Sequence, residues 1–99
     1  MNKPDFIIKE HSWLAKVAAK KLRSSNVAMV LGNTIHLFGV TKTDFLLDEK
    51  WLKHELCHIN QFKQYGYFNF VVRYLWESLR KGYSNNRFEV EARSAEELS

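Results

Sequence analysis

The sequence predicts a small α+β domain with an N-terminal helix, a β-hairpin, a histidine-bearing helix and two further C-terminal helices. Three observations carry this. Apolar residues recur at helical spacing in several segments, and the β-branched run "VAMVLGNTIHLFGV" is interrupted by Gly32-Asn33. A chain of 99 residues, 45% apolar and 14% aromatic with one proline and four glycines, also suits one folded unit spanning 1–99.

The first helix runs from about Glu10 to Arg23. Trp13, Leu14, Val17, Ala18 and Leu22 recur along it and "SSN" stops it. Its lysines, Lys16, Lys20 and Lys21, form its wet side. In the hairpin, period two puts Ile35 and Leu37 on one face and His36 and Phe38 on the other. A loop covers Thr41 to Leu47. Asp48 then caps a helix running to about Gln64, with Glu49 at its positive end. Tyr65-Gly66 breaks this helix. "YFNFVVRYLWESLRK" is the next, with Phe70, Tyr74 and Leu75 facing the core, and Gly82 ends it. Asn86 caps the last helix, "RFEVEARSAEEL", along which Phe88, Ala92 and Ala95 share one side.

Composition narrows the function classes. The net charge of +4 suits a solvated basic face, and the cysteine pairs of a zinc finger are missing, so nucleic acid is not the expected partner. The longest apolar stretch, "YFNFVVRYLW", is too short to span a bilayer and contains Arg73, so no membrane is expected either. The lone Cys57 and a start without an apolar signal run imply a reducing cytoplasm.

The chemistry concentrates in "LKHELCHINQ", residues 52–61. Residues four apart share a helix face, so His54 and His58 can direct ring nitrogens at one divalent ion about 2 Å away. Glu55 lies about 100° around the helix, where a carboxylate can accept a proton from water at that ion. This HExxH spacing on a helix is the metal-binding arrangement of zinc peptidases. The competing reading is a chance match on solvated or core histidines. Cys57 points away from both histidines and reads as a packing residue.

A catalytic zinc needs a third protein ligand. Gln61 and Gln64 close the downstream histidine route, and the remaining His11 and His36 lack the required spacing. "EVEAR" offers Glu89 and Glu91. Taken together, "HELCH" and "EVEAR" resemble the HExxH and ExxA pair of gluzincins, and the whole chain resembles the compact single-domain minigluzincins. That resemblance implies a zincin-like fold, a Zn2+ cofactor held by His54, His58 and Glu89, and Glu55 as general base in peptide hydrolysis. Ala92 becomes the small residue packed beneath the site. Arg93 stands where an aspartate is commonest, so any carboxylate support for a histidine from that position is lost or relocated.

Glu89 has a second reading, as the N3 residue of a capping box with Asn86. Glu89 is preferred to Glu91, which lies about 160° away around the helix. Thr34 to Phe38 is the expected edge strand for an added substrate strand. Tyr83 is either an oxyanion donor or a capping tyrosine. Few loops imply a shallow cleft for a peptide or unfolded protein substrate. The acidic tail, with Glu96 and Glu97, is a possible occupant of the open metal position. Two rival functions remain: a silent or latent zinc-binding or interaction module of the same fold, and, more remotely, a basic nucleic-acid binder.

Overall fold

The computed structural model describes residues 6–98. Residues 1–5, on which the expectation of no signal segment partly rests, and Ser99 of the acidic tail lie outside them. The described residues form an α+β domain of five helices and a three-stranded sheet. Strands β1 (Ile7–Lys9), β2 (Val27–Leu31) and β3 (Thr34–Phe38) lie in the order β1-β3-β2. The helices are α1 (Trp13–Leu22), α2 (Lys42–Leu47), α3 (Glu49–Tyr65), α4 (Tyr67–Lys81) and α5 (Arg87–Ala95). No described helix is long and apolar enough to cross a membrane.

The hairpin forms as its turn requires, with Gly32 at φ 65° and Leu31 opposite Thr34. Two elements have no counterpart in the sequence reading. β1 pairs parallel with β3, Ile8 opposite Ile35, so β3 is the central strand and not an edge. The expected docking edge at Thr34 to Phe38 is therefore wrong, because β1 occupies it. The second addition is α2, capped by Thr41, whose hydroxyl accepts from the Asp44 amide at 3.1 Å.

The two faces of the sheet bury different side chains. Ile35 and Leu37 meet Phe45 and Ile59 on the α3 side, where the residue after His58 anchors the motif helix to the sheet. Ala15 and Ala19 of α1 cover the other face, against Val27, Met29 and Phe38. Of the stripe expected to bury α1, Ala18 packs against this core while the larger members face outward, with Trp13 71% and Leu22 58% exposed. Alanine lets the helix backbone approach the strands closely, and the larger stripe cannot share that face. In α4, Phe70 is buried and Tyr74 half-buried as expected, but Leu75 lies 140° around from Phe70 and is exposed.

Helix ends follow their local chemistry. The Asp48 carboxylate accepts from the Trp51 amide at 3.1 Å to start α3, and Gly66, at φ 83°, closes it. The Asn86 side chain accepts from the Phe88 amide at 2.8 Å to start α5. Phe62, Phe70 and Phe88 then lock α3, α4 and α5 together, with the Phe70 and Phe88 rings 4.9 Å apart. Phe88 thereby fixes the position of its neighbour Glu89 opposite α3.

Candidate metal centre

α3 presents His54 and His58 on one face, ring centroids 5.0 Å apart, and α5 brings Glu89 against both. His54 Nε2 lies 3.1 Å from Glu89 Oε1, and His58 Nε2 lies 3.2 Å from Glu89 Oε2. One ligand atom from each residue falls within 4.8 Å of the others, a cluster able to hold a metal ion. His58 and Glu89 are buried and His54 is half-buried. Glu55 lines the same cavity at 4% exposure.

The two readings of Glu89 separate here. Its backbone amide donates to the Asn86 carbonyl at 3.0 Å, but its carboxylate turns to the histidines, so the capping-box return does not form. Glu91 is not in the cluster and accepts from Gln61 Nε2 at 2.6 Å. His36 lies on the opposite face of the sheet, its Nδ1 2.8 Å from the Ser12 hydroxyl, and His11 is exposed. Cys57 Sγ sits 3.7 Å from Gln61 Nε2 and its thiol is raised to about 11 by burial, as a packing residue allows.

Both histidines are held from behind. His58 Nδ1 is 2.8 Å from Gln61 Oε1, and Gln61 is in turn fixed to the Phe88 carbonyl at 3.1 Å. His54 Nδ1 is 2.7 Å from Glu96 Oε2. Acceptors at both Nδ1 atoms place N–H protons there and leave the Nε2 atoms to face Glu89. Glu96 is thus behind His54, not at an open ligand position, and Glu97 pairs with Lys50 at 3.5 Å. Arg93 donates to the Ser84 carbonyl, away from the histidines.

Tyr74 donates to Glu89 Oε2 at 2.5 Å. Helical spacing places Tyr74 towards the core or a groove, and spacing on α4 carries no signal for this bond. Glu96 had such a signal, because it lies seven residues after Glu89 and hence on the same helix face. Gln61 had one too, three residues after His58.

The electrostatics follow from burial and pairing. Burial alone would lower His54, but hydrogen bonds to Glu89 and Glu96, with Glu55 nearby, raise it to about 9. His58 is raised in the same way, the Glu89 bond outweighing burial. Burial would raise Glu89, yet the bonds from His54 and His58 hold it well below the usual carboxylate range. Glu55 goes the other way: burial lifts it to about 7, and the nearby histidines only partly offset this. Tyr83, exposed by half, is pushed up to about 12 by burial and by the Glu89 and Glu55 carboxylates.

A cleft of about 330 Å³ runs between β2 and α4, with the cluster, Glu55 and Tyr83 in its lining. That volume lies at the small end of the range of small-molecule sites. Its walls are apolar, among them Leu31, Phe62, Phe70, Val71 and Leu75. β2 is an edge of the sheet here. The two-residue turn makes Leu31 and Thr34 a hydrogen-bonded pair, and alternation then turns the peptide groups of Ala28 and Val30 away from β3. The far side of β3 agrees, with the Leu37 carbonyl accepting from Ser12 at 2.9 Å.

Comparison with protein-family models, curated proteins and solved structures finds no match to this chain.

Proposed function

We propose that this chain is a zinc-dependent peptidase of gluzincin type that cleaves extended peptide or unfolded protein segments. One observation carries the reading: His54, His58 and Glu89 converge in a cleft that also holds a buried carboxyl, Glu55, and borders an open strand edge. The donor set fits zinc, since two imidazoles and one carboxylate form a known catalytic ligand set that leaves a position free. The acceptors at both Nδ1 atoms favour the tautomer that such ligation needs.

Zinc, held by His54, His58 and Glu89, would supply Lewis acidity towards a peptide carbonyl and an attacking water. The chain's own groups do the rest. Glu55, buried in the lining of the same cleft, takes the water's proton and passes it to the leaving amine. Tyr83 stays protonated at neutral pH and donates a hydrogen bond to the oxyanion of the tetrahedral intermediate. The outward peptide groups of Ala28 and Val30 hold the substrate as an added strand, and the apolar walls receive its side chains.

The test is hydrolysis of an unstructured protein by zinc-loaded wild type and by Glu55→Gln, with zinc content measured in both. Wild-type cleavage that disappears in a variant still holding zinc supports the mechanism. Undiminished cleavage by Glu55→Gln removes it, and zinc binding without any cleavage makes the chain a zinc-binding module.

A further inference from the structure

We infer that Glu96 is the positioning residue of the metal centre, holding the His54 ring through its outer nitrogen. The inference rests on the proposed metal site and concerns which residue fixes its more exposed ligand. His54 is the less enclosed of the two histidines, with 15% of its side chain exposed against 9% for His58. The less enclosed ring has less packing to hold it, so the contact at its outer nitrogen matters more to its orientation. Gln61 ties His58, and Glu96 Oε2, 2.7 Å from Nδ1, ties His54.

The helix explains why position 96 can do this. In α5, residues four and seven after Glu89 both lie near its face, at about 40° and 20° to either side. The first of these is Arg93, whose guanidinium is spent on the Ser84 carbonyl. The second is Glu96, the C-cap of α5, placed one turn further on. From there its carboxylate reaches Nδ1 of the same imidazole that Glu89 contacts through Nε2.

The segment after α5 is held in place for this role. The Glu97 carboxylate meets Lys50 at 3.5 Å, and the Leu98 carbonyl accepts from Lys53. Lys50, Lys53 and His54 all lie on α3, so residues 96–98 clasp the motif helix with Glu96 as the member that touches a ligand. The outer two contacts are solvent-exposed and contribute little by themselves. Glu96 donates no electron pair to the metal. It fixes the His54 tautomer, orients the ring and increases its basicity.

The experiment is competition for zinc against a chromophoric chelator, using the full chain as wild type, Glu96→Ala, Glu96→Gln and Glu97→Ala, with thermal melts of each. Outer partners of metal ligands typically change affinity by about 10- to 100-fold. The expected result is a loss of that size in Glu96→Ala, a smaller loss in Glu96→Gln, which keeps an acceptor without its charge, and wild-type affinity in Glu97→Ala. Glu96→Ala binding within about threefold of a zinc-binding wild type overturns this inference alone. So does an equal loss in Glu97→Ala, which would make the clasp merely structural. A wild type that binds no zinc overturns the reading of the site and this inference with it.

Discussion

The metal-free protein should lose stability as pH rises, against the usual behaviour of a buried carboxylate cluster. The perturbation is a change from pH 6.5 to pH 9 in the presence of a chelator. His54 has a folded pKa of about 9 against 6.5 unfolded, so the folded state holds a proton that the unfolded state releases. The resulting stabilisation is complete below pH 6.5 and is lost as pH rises through 9. At about 1.36 kcal/mol per pKa unit, it amounts to roughly 3 kcal/mol. The depressed Glu89 reflects the same interaction from the other side, so it is counted once. Glu55, lifted from 4.5 to about 7, has the same sign, and its contribution is lost between pH 4.5 and 7. Urea unfolding at several pH values measures the slope. Glu89→Gln should flatten it, because the amide no longer holds the imidazolium. Zinc should reverse it, since ligation requires deprotonated nitrogens. Metal-free stability that is level or rising between pH 6.5 and 9 would refute the reasoning.

Two further outcomes follow from the packing and the strand edge. Phe88→Ala removes the ring that joins α3, α4 and α5 and should cost about 3–5 kcal/mol in denaturant unfolding; a cost below about 1 kcal/mol would show that the cluster does not hold Glu89 in place. Ala28→Pro removes an outward N–H without breaking a β2–β3 bond, so it should raise KM for a peptide substrate while the fold, followed by circular dichroism, survives. An unchanged KM would place the substrate elsewhere in the cleft.

What the sequence made legible was the local part. The HExxH spacing, the Asp48 and Asn86 caps, the hairpin turn and the Gly66 and Gly82 breaks depend on neighbours within a few residues, and all stand. Non-local pairing was hidden. β1 is three residues long and gains its identity only from β3, and with it the open edge moved from β3 to β2. α1 offered two stripes, and only the strands opposite decide that the alanines bury while Trp13 does not. In the site, spacing on one helix pairs His54 with His58, whereas Glu89 follows only from the resemblance and keeps a capping alternative until the structure turns its carboxylate to the histidines. The support from Tyr74 acts across two helices whose approach no spacing reveals, while that from Glu96 shows in the sequence only as a shared helix face with Glu89, not as a contact with His54.

The most direct test of the central claim is zinc stoichiometry, by elemental analysis after metal-replete dialysis, of wild type and Glu89→Ala. The expected result is one zinc per wild-type chain, lost or markedly weakened in the variant. No zinc in the wild type, or equal and equally tight zinc in both, would contradict it.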